Sequence, residues 1–215
     1  MKISRLFLKR NKVDIIFEEE ENLVLRYDTV LKFGLKKNVD IDEKFRALLL
    51  SEDEKFQIKE LSFRFLSNRM HSVAELKKKL LFKKFSAENI DLVLSDLSEL
   101  NHLNDSKFAE TFAHEKIQYK KFGLMKVKAE LIRKGISKDI IESTLEKFTD
   151  QENFTANALQ IAKKKLASSQ YNKLDVKKKK EKLFRFLMTK GYSPETIKNV
   201  LKNIHLGNEI TDEFD

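Results

Sequence analysis

A short phrase occurs three times in this chain, and its recurrence limits the fold more than any other feature. It reads Lys83-Lys84-Phe85-Ser86-Ala87-Glu88, then Lys134-Gly135-Ile136-Ser137-Lys138-Asp139, then Lys190-Gly191-Tyr192-Ser193-Pro194-Glu195. The serines are 51 and then 56 residues apart, and a Leu follows eight residues beyond each: Leu94, Leu145 and Leu201. A period of that length is the mark of stacked supersecondary units. Physically, the phrase is a helix stop followed by a helix start. Gly135 and Gly191 suit the left-handed residue that ends a helix, with Lys84 in that place in the first copy. Lys83, Lys134 and Lys190 sit where a cation meets the negative end of the helix dipole. Ser86, Ser137 and Ser193 suit the N-cap of the next helix, with an acid in its first turn. Pro194 fits the first helical position, where no amide bond is lost.

Upstream of each serine runs a matching apolar stripe. Leu76 and Leu80, Val127 and Leu131, and Leu183 and Leu187 stand ten and six residues before it, a step that keeps both on one helical face. Thirteen residues before it stand Val73 and Leu124, but Lys180 in the third copy. A further helix precedes each pair: 58–67 with Leu61, Phe65 and Leu66; 107–120 with Phe108, Phe112 and Ile117; and 156–167 with Leu159, Ala162 and Leu166. Residues 58–104, 105–153 and 154–208 thus read as three tandem three-helix repeats. The fold class is mainly α, and tandem repeats of this kind build an elongated, curved array. In front, residues 1–57 read differently. Val13-Asp14-Ile15-Ile16-Phe17 and Leu23-Val24-Leu25-Arg26-Tyr27 are β-branched and aromatic, with the polar stretch 18–22 between them, which predicts a small β-hairpin. Asp40 or Asp42 then caps a short helix over 43–50, and Glu52-Asp53-Glu54 reads as a polar joint before the first repeat.

Charge is distributed unevenly. The net charge is +9 from 43 basic and 34 acidic residues. Residues 1–57 are neutral, residues 58–208 carry a net +13, and the tail 209–215 holds four acids and no base. Such an excess suits a polyanion partner, although a lysine-rich surface without one fits the count too. Charged residues make up 36% of the chain against roughly 25% in an average domain. With no Cys there is no disulfide framework, thiolate metal site or cysteine nucleophile. The first residues lack the apolar run and cleavage site of a signal peptide, and no stretch approaches the roughly 20 apolar residues that cross a bilayer. These features predict a cytoplasmic protein with no membrane association.

The stretch Leu66-Ser67-Asn68-Arg69-Met70-His71-Ser72-Val73-Ala74-Glu75-Leu76 resembles the opening of the RecX family, with an Arg and a Ser ahead of Glu-Leu. Leu100-Asn101-His102-Leu103-Asn104-Asp105-Ser106-Lys107-Phe108-Ala109 resembles its next segment. Lys121-Phe122-Gly123, followed by Leu131-Ile132-Arg133-Lys134-Gly135-Ile136, is similar to its middle repeat. The likeness runs from about residue 58 to 204 in unbroken repeat order. Asn101 stands where the family often has Gly, and the third repeat is loosely matched and unusually basic. The resemblance implies a curved, elongated helical protein that binds in the groove of a RecA–single-stranded DNA filament and restrains filament growth or activity; a monomer that needs no cofactor is expected. It also implies a role in DNA recombination, DNA repair and the SOS response. A general nucleic-acid-binding repeat protein with no RecA partner is the rival reading.

No catalytic grouping emerges. His71, His102, His114 and His205 are scattered, with none paired to a second ligand at metal-binding spacing on one helix face. There is no glycine-rich phosphate loop. The function expected is therefore non-enzymatic, and the residues that would carry it are basic. Lys163-Lys164-Lys165 and Lys177-Lys178-Lys179-Lys180 flank Lys173, and residues 158–190 hold 11 basic and 2 acidic side chains. A second group is Lys77, Lys78 and Lys79 with Lys83 and Lys84. A third gathers Lys120, Lys121, Lys126, Lys128, Arg133 and Lys134. Arg185 and Lys190 complete the candidates. Four consecutive lysines at 100° per residue cannot share one helical face, so some of them are plain surface charge. Lys83, Lys134 and Lys190 would form a recurring row, either contacting phosphates or simply answering the helix dipole. Phe65, Phe108 and Phe112 lie on apolar stripes and read as core rather than as stacking platforms.

Overall fold

The computed structural model describes residues 1–18, 21–148, 151–172 and 174–204. Lys173, His205 and the acidic tail 209–215 lie outside the described residues. The chain divides into two compact units, Met1–Asn104 and Asp105–Asp215.

The first unit opens with an antiparallel sheet in the order β1-β2-β3, formed by β1 (Ile3–Lys9), β2 (Lys12–Phe17) and β3 (Leu23–Arg26). The expected hairpin is the β2–β3 pair, in the register Val13↔Leu25 and Ile15↔Leu23. The structure adds β1, paired with β2 through a tight turn in which Arg10 takes a φ of +56°. Strand β1 has no clear sequence pattern because Phe7 and Leu8 are both exposed, so its outer half lacks an apolar–polar alternation. In β2 the alternation is clean, with Val13, Ile15 and Phe17 buried. Tyr27 is not strand but begins the short helix α1 (Tyr27–Lys32).

The predicted joint at Glu52-Asp53-Glu54 is a correction, because it is continuous helix. α2 runs from Glu43 to Asn68 without a break, merging the two short helices expected at 43–50 and 58–67. Nothing in the three acids stops a helix, since none removes an amide or demands a left-handed backbone. Instead they serve neighbouring helices. Asp53 is buried and accepts from the Arg26 amide (2.6 Å) and the Thr29 hydroxyl (2.7 Å), so it caps α1, whose own N-cap residue Arg26 supplies no side-chain cap. Glu54 accepts from the Ser86 amide (3.1 Å) and from Asn89 Nδ2 (2.6 Å), tying down the residues that begin the fourth helix. Glu52 takes Lys32 (2.5 Å) and Lys55 (2.6 Å). Asp42, one of the two caps expected, accepts from the Phe45 amide at 2.6 Å.

α3 (Val73–Phe82) and α4 (Ala87–Glu99) complete the first repeat. Two apolar clusters occupy this unit. One joins the sheet to Leu49, and the other gathers Leu76, Leu80, Ile90, Val93 and Leu97 around Ile58. α2 therefore contributes to both.

The second unit holds α5 (Asp105–His114), which continues as a π-helical turn over Glu115–Tyr119, then α6 (Leu124–Arg133) and α7 (Lys138–Glu146). The uniform helix expected over 107–120 thus widens in its last turn. α8 (Gln151–Leu166), the short α9 (Ser169–Asn172), α10 (Val176–Thr189) and α11 (Pro194–Asn203) follow. The two repeats of this unit do not keep separate cores. A single cluster runs from Phe108 through Leu131 and Ile141 to Leu183, Leu187 and Val200.

The thrice-repeated phrase folds as the stop and start that its residues dictate. Lys83, Lys134 and Lys190 are C-cap residues, and Lys84, Gly135 and Gly191 follow with φ of +66°, +75° and +87°. Ser86 accepts from the Asn89 amide (3.3 Å) and Ser193 from the Thr196 amide (3.1 Å). Ser137 stands at the N-cap of α7 but makes no side-chain cap bond, a departure from the expectation for all three.

Candidate nucleic-acid interface

Three lysines of the second unit, each taken from a different helix, meet over aromatic rings. Lys126 on α6 places its Nζ 4.2 Å from the centroid of the Phe122 ring. Lys190, at the end of α10, reaches the same ring at 5.3 Å and the Phe186 ring at 5.6 Å. Lys165, in the last turn of α8, lies 5.4 Å from Phe186 and 6.0 Å from Tyr171. The result is a ladder in which cation and ring alternate: Lys126, Phe122, Lys190, Phe186, Lys165, Tyr171. The ring quadrupole attracts each ammonium by roughly 0.5–2 kcal/mol, depending on desolvation, without cancelling its charge. Burial, and then the nearby ammoniums of Lys126 and Lys165, hold Lys190 below its ordinary value. Lys190 is therefore close enough to both neighbours to be repelled by them.

A backbone clasp between the second and third repeats sets this arrangement. The Gly123 amide donates to the Lys190 carbonyl (2.8 Å), the Met125 amide to the Gly191 carbonyl (3.1 Å), and the Tyr192 hydroxyl to the Lys121 carbonyl (2.8 Å). No side chain fits at the two glycines. A Cβ on Gly123 would lie 2.2 Å from the Gly191 oxygen, and one on Gly191 would lie 2.3 Å from the Lys126 nitrogen. The clasp brings the first turn of α6 against the end of α10, and with it Lys126 beside Lys190.

The other candidates are placed differently. Lys134 lies over Phe108 (5.5 Å) and Phe112 (5.0 Å), while Arg133 is exposed and 3.8 Å from Glu130. Lys163 and Lys164 are exposed on α8. Lys177, Lys178 and Lys180 are exposed in the first turns of α10 and Lys179 is half-buried there, with Lys178 paired to Asp175 at 3.1 Å. Arg185 is exposed further along the same helix. In the first unit Lys77 pairs with Asp91 at 2.6 Å, and Lys83 and Lys84 are exposed. Of all the candidates, the structure brings together Lys126, Lys165 and Lys190. Their ring partners Phe122, Phe186 and Tyr171 were missed at the level of sequence, where phenylalanines on apolar stripes read as core. A signal was available: Phe122–Lys126 and Phe186–Lys190 share a spacing of four residues, as does Phe112–Lys116, whose ammonium lies 4.9 Å from its ring.

Among the described residues no group of His, Asp and Glu side chains is placed to hold a metal ion, and no helix is long and apolar enough to cross a membrane. Fold and site together define a tandem three-helix-repeat protein that carries a concentrated group of lysines on an aromatic bed.

Comparison with known proteins narrows the class. Models of the first, second and third RecX three-helix domains match residues 59–97, 104–145 and 151–201. A regulatory protein RecX of Clostridium botulinum is 31% identical over 204 residues, covering 94% of this chain and 95% of the relative. One from Clostridium beijerinckii is 33% identical over 91% of this chain and 92% of its own, and one from Lactococcus lactis is 31% identical over 100% and 78%. A crystal structure of a regulatory protein RecX superposes with a TM-score of 0.75 at 22% identity, covering 94% of this chain and 99% of that one. The RecX of Lactobacillus salivarius gives 0.63 at 22% identity, over 71% and 97%. The chain belongs to the RecX family of regulatory proteins.

Proposed function

We propose that this protein is a non-enzymatic regulator that binds RecA filaments on single-stranded DNA and inhibits the recombinase and its ATPase. The observation that carries this reading is the match of all three RecX three-helix domains, in order, along the chain. The lysine ladder supports it chemically, because a protein that settles on a nucleoprotein filament meets phosphate charge. On this reading the protein acts in the cytoplasm as a monomer, needs no cofactor, and serves recombination, repair and the SOS response. Residues 58–104, 105–153 and 154–208 act as its three repeats. Arg133, Lys134, Lys163, Lys164, Lys177, Lys178, Lys179, Lys180 and Arg185 supply further contacts from the second unit, and Lys77, Lys83 and Lys84 supply contacts from the first. Removing the tail 209–215, which holds four acids and no base, is expected to strengthen DNA binding at low salt.

Co-sedimentation with RecA, with and without single-stranded DNA, tests the reading. The protein is expected in the pellet with RecA filaments, and RecA ATP hydrolysis is expected to fall as the protein is added. Equal pelleting with DNA alone and no change in RecA hydrolysis would favour the rival reading, a general nucleic-acid-binding repeat protein.

A further inference from the structure

The lysine ladder has a property that ordinary surface lysines lack. Several other cations pair with acids: Lys77 with Asp91, Arg69 with Glu75, Lys147 with Glu110, Lys55 with Glu52, and single lysines, Lys79 and Lys134, also lie over rings. At Lys126, Lys165 and Lys190 the structure shows rings in place of carboxylates. Aromatic faces fix where an ammonium points but leave its charge available to a ligand. All three side chains are half-buried, so their positions are defined by packing rather than free in solvent. Like charges held close together raise the energy of the folded protein, and a bound anion is the direct way to lower it.

We infer that Lys126, Lys165 and Lys190, seated on Phe122, Phe186 and Tyr171, form a binding site for the sugar–phosphate backbone of a single nucleic-acid strand. A row of separate cations suits a chain of phosphates better than one compact anion, because each ammonium can meet a different phosphate. Phosphate contacts of this kind fix position without reading bases, so the site grips backbone and not sequence. It deepens the proposed function by naming where the strand is gripped, and it rests on that reading only in taking nucleic acid as the ligand. The glycine clasp gives the site a second dependence. Lys126 is brought beside Lys190 by the approach of Gly123 to Gly191, so the grip requires the second and third repeats to be docked on each other.

The test uses the full chain and a fluorescent oligothymidylate, with no RecA present, in a salt titration followed by anisotropy. The triple variant Lys126→Gln, Lys165→Gln, Lys190→Gln is expected to bind about ten-fold more weakly at low salt. Its slope of log affinity against log salt should flatten by about 0.7 for each phosphate that is no longer neutralised. Melting of the triple variant is measured alongside, because the lost repulsion raises its melting temperature and the lost cation–ring attraction lowers it. A wild-type slope in the triple variant would overturn the site, as would a wild-type protein that binds polyglutamate but not oligothymidylate. Should the Gln variant melt early, the matching Lys→Arg triple decides: a retained slope supports the site and a flattened slope overturns it. Since RecA is absent from this assay, failure here leaves the filament reading standing. Normal oligothymidylate binding without any effect on RecA would overturn the filament reading and leave the site in place.

Discussion

His71 is the buried titratable group whose environment gives the plainest pH dependence. It is 3% exposed, lies 3.0 Å through Nδ1 from the Arg69 carbonyl, and stands 2.8 Å through Nε2 from the Lys79 ammonium. A lysine ammonium can only donate, so Nε2 accepts and the proton belongs on Nδ1. Burial, first of all, and then the charges of Arg69 and Lys79 hold the imidazole below its ordinary value of 6.5, against the opposing pulls of the Arg69 carbonyl and Glu75. The folded state therefore prefers neutral His71, and the unfolded chain takes up the proton first as pH falls. Stability is fully present above about 6.5 and is lost as pH falls from there through the lower folded value. Urea midpoints at pH 7.5 and 5.5 check this. The wild type is expected to lose more between them than His71→Asn, which keeps a donor for the Arg69 carbonyl; equal losses would assign the pH effect elsewhere. A second residue-scale outcome concerns Lys177, Lys178, Lys179 and Lys180. They crowd the positive end of α10, where cations oppose the helix dipole. Replacing all four by Gln is expected to weaken DNA binding while raising the melting temperature, two changes of opposite sign that a structural role for these lysines would not produce.

At the scale of single elements, the legible features were those with local causes. The cap phrase states its own geometry, and even the Lys84 that stands in for Gly keeps the left-handed turn, with a φ of +66°. The apolar stripes were legible for the same reason, since Leu80, Leu131 and Leu187 are all 0% exposed. Replacing any of them by Ala is expected to cost roughly 2–5 kcal/mol in denaturant unfolding. What stayed hidden was set by partners far away in sequence. Glu52-Asp53-Glu54 looks like a joint until the amide of Arg26 and the side chain of Asn89 are seen to need those carboxylates. The ladder was half visible: its lysines stood out by charge, but their rings were indistinguishable from core phenylalanines until α8 and α10 packed together. Gly123 carries no local signal, because its role is the room it leaves for the Gly191 carbonyl, a requirement set by a distant part of the chain. The glycine clasp is testable as an element. Gly191→Ala places a side chain where φ is +87° and Lys126 leaves no space, so it is expected to lower stability and to weaken oligothymidylate binding together. Unchanged binding in a folded Gly191→Ala protein would show that the clasp does not position the lysines.

On the scale of the whole molecule, the three repeats are alike in sequence but unequal in how they are anchored. The second and third share one apolar cluster, from Phe108 to Ile204. They are therefore expected to unfold as one cooperative block rather than as two independent steps. Hydrogen exchange measured on Leu131→Ala would show this as faster exchange in α10 as well as in α6, whereas a change confined to α6 would mean that the repeats open separately. The first repeat is anchored to the sheet instead, through α2, which gives Leu49 to one cluster and Ile58 to the other. This has a practical consequence for trimming the chain. A truncation at residue 58, where the repeat pattern starts, would cut a 26-residue helix near its middle. It would also discard Glu54, the acceptor that secures Ser86 and Asn89 at the start of α4. Such a shortened protein would report on damage to the first repeat, and an inactive product would say nothing about a separate task for the sheet.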